Sequence, residues 1–155
     1  MNRIIPASVT HVEVIAEKMR LRDVAEIEAS SGLSPEDSLG ASLMSSDAAW
    51  TAVDSKGKPF AMFGVTPWAI MPDTGAPWLL ATDDWNKHTR YVLANTKPYV
   101  HQMQQLFPVL INYVDVRNVD SLRWLMWAGF KFTACEPHFG IERRPFLRFS
   151  KVTHV

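Results

Sequence analysis

The 155-residue chain has one cysteine, Cys135, no net charge and no long apolar run. A single thiol cannot close an internal disulfide, so nothing in the chain demands an oxidising compartment. Sixteen basic residues cancel sixteen acidic ones, and without a net field neither nucleic acid nor an anionic membrane is an expected partner. No stretch approaches the length of a bilayer span, and the opening MNRIIPAS lacks the apolar core of an export signal. The chain is therefore expected to stay in the cytosol where it is made. Internal repeats, low-complexity tracts and linkers are absent. So are a Gly-x-Ser-x-Gly elbow and a P-loop, which leaves hydrolase and nucleotide-hydrolysing readings without support. Cys135, Glu136 and His138 lie close together, but further ligands at metal-binding spacing are missing, and no metal is expected.

What the chain does have is large apolar side chains, including six tryptophans and eight phenylalanines in a composition that is 47% hydrophobic. At this length that suits one domain, residues 1–155, with a substantial core. Arg3 to Ala7 suits an edge strand. Thr10 with Glu13, and Asp23 with Glu26, each have the spacing of a capping box ahead of apolar residues at helical intervals. Ser34 and Pro35 open a third helix, supported by Leu39, Leu43 and Met44. Trp50–Val53 and Phe60–Thr66 read as a hairpin around Gly57. Pro67–Pro77, with three prolines, reads as a loop, and Trp78–Thr82 as another strand. Helical spacing returns from Val92 to Leu106, with Pro98 placed to kink or divide it. Phe130–Cys135 and Pro145–Val152 are expected to pair as a final hairpin. Arg143 and Arg144 ahead of it form either a small anion spot or a solvated pair.

The sharpest local pattern runs from Ile111 to Phe130. A short apolar strand leads into Asn118, whose side-chain oxygen suits a helix N-cap; Asp120 suits the positive end of the helix dipole, and Gly129 suits its end. Asn118, Leu122, Leu125 and Gly129 fall on one stripe, with Trp124 and Trp127 beside it.

Asn118, Ser121, Leu122, Arg123, Gly129 and Phe130, directly after a buried strand, resemble the last conserved block of the GNAT acyltransferase superfamily. The element order resembles that fold along nearly the whole chain. The resemblance implies an α/β (α+β) architecture: a mixed, mostly antiparallel sheet of about seven strands, splayed in the middle and flanked by about four helices. In such enzymes the position of Leu125 is commonly a tyrosine that protonates the departing thiolate of coenzyme A, and leucine has no proton to give. The family grips the pyrophosphate with a glycine-rich turn after the fourth strand, where small residues let main-chain N–H groups approach phosphate. Here that turn is Thr82 to Arg90 and holds no glycine. Asp83 and Asp84 within it read as helix-capping acids, and Lys87, His88 and Arg90 remain as side chains able to meet phosphate.

Two readings follow. In the first, the catalytic residues are unknown, no cofactor is expected, and the chain acts through its surfaces. A narrower resemblance, to the internal virion and morphogenesis proteins of short-tailed bacteriophages, implies other phage virion or assembly proteins as partners. It also implies a location in the host cytoplasm during assembly, or in the virion, with a prophage origin equally consistent. In the second, the chain is an acetyl-CoA-dependent N-acetyltransferase. Lys87, His88, Arg90 and Asn118 would then bind the cofactor, and Asp83 or Asp84 would take a proton from the acceptor amine.

Overall fold

The computed structural model describes residues 1–153. The elements in chain order are β1 (Arg3–Pro6), α1 (Val9–Glu17), α2 (Leu21–Ser30), α3 (Pro35–Ser45), β2 (Ala48–Val53), β3 (Pro59–Trp68) and β4 (Met71–Ala81). They continue with α4 (Trp85–Asn95), α5 (Lys97–Leu106), β5 (Val109–Asp115), α6 (Val119–Trp127), β6 (Lys131–Phe139) and β7 (Arg144–Val152). The strands form one sheet in the order β1-β2-β3-β4-β5-β7-β6. Every pairing is antiparallel except β4 with β5, which is parallel and lasts only through Thr74↔Val109 and Gly75↔Leu110. Beyond Gly75 the two strands part, and the sheet becomes a fork. This is the mixed, mostly antiparallel, centrally splayed α/β architecture expected.

Two apolar layers follow from the alternation of side chains along the strands. Met62, Trp78 and Leu80 pack against Val12, Ile15, Ile27 and Leu39 of α1 to α3. Phe63, Leu79 and Val114 pack against Val92, Val100, Met103, Trp124 and Leu125 of α4 to α6. Gly75, at the crotch of the fork, has no space for a side chain: an added Cβ would lie 2.6 Å from both Phe107 and Val65.

Several local expectations change. The segment Pro67–Pro77 is not a loop; it completes the β3–β4 hairpin, with Pro67 paired to Gly75 and Pro77 to Val65. Strand alternation turns the bare nitrogens of Pro67 and Pro77 away from their shared ladder, so neither removes a bond from it. The first helix is capped by Ser8 and His11 rather than by Thr10 and Glu13. Ser8 accepts from Thr10 N–H, and His11 Nδ1 accepts from Ser8 N–H at 3.1 Å. Asp23 and Glu26 form no capping box: the cap position of α2 is Arg20, which makes no side-chain capping bond. The long helix is divided as expected near Pro98, which falls in the first turn of α5, where its missing N–H has no helical acceptor to lose.

Asn118 caps α6 and accepts from Ser121 N–H at 3.4 Å. At the other end Phe130 N–H donates to Leu125 C=O at 3.0 Å and Gly129 N–H to Met126 C=O at 3.2 Å, with Gly129 at φ 92°. Both bonds depend on that left-handed residue. Gly129→Ala is expected to lower stability by about 1–2 kcal/mol, from the cost of holding alanine in this region. A urea unfolding curve would register it as a lower midpoint with unchanged slope.

Candidate functional site

Parting β4 from β5 leaves inward-facing amides without a partner strand. Helix α2 supplies the acceptors. Asp23 and Glu26 lie three residues apart, hence on one face of the helix, and each carboxylate reaches a different arm of the fork. Asp23 Oδ2 accepts from Ala81 N–H on β4 at 2.9 Å, and Glu26 Oε1 accepts from Asp115 N–H on β5 at 2.7 Å. Asn118 Nδ2 donates to Asp23 at 2.9 Å and to Glu26 at 3.5 Å. Arg20 closes the clasp with a two-pronged bond to Asp23 at 2.9 and 3.0 Å, and its guanidinium lies 5.0 Å from the Trp85 ring. Arg20, Asp23 and Asn118 are all buried.

The three carboxylates at this point are not equivalent. Asp23 is paired with Arg20, and Asp115 with Arg117. Burial alone would raise Asp115, but its bonds to Arg117 outweigh this and hold it below the usual carboxylate range. Glu26 has no cationic partner among the described residues. Burial, followed by the neighbouring Asp23 charge, pushes its pKa up to about 8.

Glu26 lies on the wall of a cavity of about 220 Å³ that passes through the fork. Strand alternation divides the wall into two halves. On the α2 and α3 side it is lined by Glu26, Ser30, Ser38, Ser42, Trp78, Tyr113, Phe139 and Phe146; on the α6 side by Leu79, Val114, Ser121, Trp124, Leu125 and Phe149. Leu125 is therefore at the cavity, as a position aligned with a proton donor would be, but presents only methyl groups. Leu79 shares the strand phase of Ala81, so its N–H points into the opening. Asn112 bridges the narrow end, donating to Pro77 C=O at 2.9 Å.

The turn after β4 has a different character. The N–H groups of Asp83, Asp84, Trp85 and Lys87 are already bonded, to Lys18 C=O, Thr82 Oγ1, Thr82 C=O and Asp84 C=O. Thr82, not Asp84, supplies the side-chain cap; Asp84 instead pairs with Lys87 at 3.2 Å and Lys58 at 3.8 Å. His88 stacks on Phe60 with ring centroids 4.4 Å apart and contacts Asn2. Arg90 is exposed on α4. Lys87, His88 and Arg90 thus share the start of α4, while Asn118 is buried beneath α2 and bonded to its carboxylates. Neither Asp83 nor Asp84 lines the cavity. The carboxylate at the cavity is Glu26, whose spacing from Asp23 imitates a cap. The signal that separates the two cases is that both acids share the helix face of buried Ile27. Cys135 is exposed on β6, and no metal-binding cluster occurs among the described residues.

No protein-family model matches this chain, and no curated protein matches it by sequence. Solved structures do match along its full length. A phosphinothricin acetyltransferase of the GNAT superfamily from Sinorhizobium meliloti, in complex with AcCoA, superposes with a TM-score of 0.74 at 9% identity, over 98% of this chain and 88% of that one. The fold is that of the GNAT acetyltransferases. A GCN5-related N-acetyltransferase from Kribbella flavida gives 0.70 at 12% identity over 97% of both chains. The ribosomal-protein-S18-alanine N-acetyltransferase from Escherichia coli gives 0.66 at 13% identity, over 100% of this chain and 96% of that one. Within this GNAT fold, the fork is where the clasp and the cavity lie.

Two outcomes test the clasp. Asp23→Ala leaves buried Arg20 with only the looser Asp120 carboxylate, 3.9 Å away, and strips the acceptor from Ala81 N–H; it is expected to cost about 3 kcal/mol in chemical denaturation. Glu26 has a folded-state pKa above its ordinary value of 4.5. The folded chain therefore holds a proton that the unfolded chain releases, and this contribution is complete below about pH 4.5 and is lost as pH rises through about 8. Glu26→Gln keeps an oxygen for Asp115 N–H and has no proton to lose. Its stability relative to the parent should rise steadily across that window, as seen in urea midpoints measured at several pH values.

Proposed function

We propose that this chain is an acyl-CoA-dependent N-acyltransferase in which Glu26 receives the proton of the acceptor amine. The observation that carries the proposal is the cavity through the fork, with a carboxylate poised near pKa 8 on its wall. A base with a pKa near the working pH combines a useful ionised fraction with a real affinity for the proton. The acyl end of a thioester fits the α6-side half of the cavity, whose walls are apolar and into which Leu79 N–H points. At the start of α4 the N–H groups of Asp83, Asp84, Trp85 and Lys87 are already bonded, which leaves little main-chain cradle for the diphosphate end. Lys87 and Arg90 are the side chains able to meet it.

In this reading Leu79 N–H orients the thioester carbonyl and steadies the charge that grows on its oxygen. Asp115 N–H and Asn118 hold Glu26 in place on the opposite side. The thioester supplies an activated carbonyl carbon, to which the amine nitrogen bonds as the carbon–sulfur bond breaks. Glu26 takes the amine proton. With leucine at position 125, water rather than a tyrosine gives the thiolate its proton.

A second reading is a GNAT-fold protein acting without turnover in the assembly of a phage particle; the α4 turn and two tryptophans bear on it only through the weak grip they leave for a cofactor. Trp124 Nε1 donates to Thr96 Oγ1 at 3.0 Å, and Trp127 Nε1 to Leu93 C=O at 2.6 Å, tying α6 against α4. Its partners would be other virion or assembly proteins, met in the host cytoplasm.

Millimolar acetyl-CoA separates the two. A ligand at a hundredfold over its Kd adds about 2.7 kcal/mol of stability, a visible rise in melting temperature. The transferase reading expects that rise, together with thiol release in the presence of an acceptor, and a Glu26→Gln variant that keeps the thermal shift while losing on the order of 10²–10⁴ in kcat. No saturable shift would leave the assembly reading standing.

A further inference from the structure

The acceptor half of the cavity is chemically one-sided. Its wall carries one charged side chain among the described residues, Glu26, and no lysine, arginine or histidine. The carboxylates nearest to it, Asp23 and Asp115, have their own guanidinium partners in Arg20 and Arg117. Four aromatic rings surround the remaining space. Tyr113 stacks on Phe139 at 4.7 Å, Phe139 meets Phe146 at a tilt with centroids 4.5 Å apart, and Trp78 stands across from them on β4 with its Nε1–H committed to Ser46 Oγ at 2.8 Å. Helix α3 contributes two half-buried serines, Ser38 and Ser42, at the rim.

From this arrangement we infer that the ligand of the α2-side half is a small primary amine on an aromatic body, with no acidic group. Its ammonium completes the one ion pair the cluster leaves open, and its ring joins the Tyr113–Phe139–Phe146 cluster. A carboxylate or phosphate beside the amine would enter a wall with no cation to receive it, and would face Glu26. A second ammonium further along the ligand would meet aromatic and serine surface, with no second carboxylate in the wall. The inference names the acceptor class of the transferase proposed above and rests on that reading for turnover, but not for binding.

The test is direct titration of the full-length chain by calorimetry with 2-phenylethylamine, L-phenylalanine, 3-phenylpropanoate and spermidine. Each is then repeated in the presence of acetyl-CoA with thiol release measured. 2-Phenylethylamine is expected to bind at least about tenfold more tightly than the other three, because each of those leaves a charged group unpaired or omits the ammonium. Glu26→Gln should abolish the preference for the amine over 3-phenylpropanoate. Ser42→Trp, which fills the rim from a half-exposed helix position, should abolish binding without disturbing the clasp. Equal or tighter binding of L-phenylalanine or spermidine would overturn the inference, as would no binding by any of the four. Binding of 2-phenylethylamine without thiol release would uphold the amine site and count against the transferase. Acetylation of an acidic or polycationic amine, with 2-phenylethylamine inert, would uphold the transferase and refute the amine class.

Discussion

A sheet that splits in the middle has a chemical debt: the strands on either side of the gap carry main-chain N–H groups that another strand would have satisfied, and buried amides without acceptors are costly. In this chain the acceptors are two carboxylates on consecutive turns of α2, one for each arm of the fork. Asp23 takes Ala81 N–H and Glu26 takes Asp115 N–H. The distance between the arms is thereby set by the spacing of two side chains on a helix. Asn118, the residue that starts α6, ties the same two carboxylates together from the opposite face. The opening of the sheet, the seating of α2 and the start of α6 are one structural decision.

The functional consequence comes from an imbalance in that clasp. Two of the three carboxylates here are buried, and both are ion-paired. Glu26 is the third. It satisfies an amide like its neighbours, but faces a cavity instead of a guanidinium, and so keeps its proton to an unusually high pH. The same residue is thus a structural acceptor and the one group at the cavity suited to exchange a proton near neutrality. The cavity wall repeats the bias, with aromatic rings, hydroxyls and no cation.

Much of this architecture was legible in the sequence where local chemistry settles the matter. The strand, N-cap and glycine stop around Asn118 and Gly129 are determined within about a dozen residues and appear as read. The fold followed from element order. The β3–β4 hairpin did not, because a proline is compatible with a strand only when its nitrogen faces away from the ladder, and that depends on neighbours far along the chain. Asp23 and Glu26 were misread for a related reason: the three-residue spacing that makes a capping box also places two acids on one helix face. What distinguishes the cases is whether that face is buried. Arg20 gave no signal in a turn between helices, since its role depends on Asp23, Trp85 and the end of β4 arriving together. The α4 turn is glycine-free as read, and the N–H groups of Asp83, Asp84, Trp85 and Lys87 are bonded to Lys18 C=O, to Thr82 and to Asp84 C=O, not to the acidic side chains.

The central claim is that Glu26 is a half-buried carboxyl group held at the fork without a counter-charge. Its most direct test is a carbon-13 NMR titration of the side-chain carboxyl, assigned by comparison with Glu26→Gln. A midpoint near pH 8 is expected, in line with the elevated value that burial and the Asp23 charge impose. A midpoint near the ordinary glutamate value of 4.5 would mean that the carboxylate is solvated or already paired, and would contradict the account at its base.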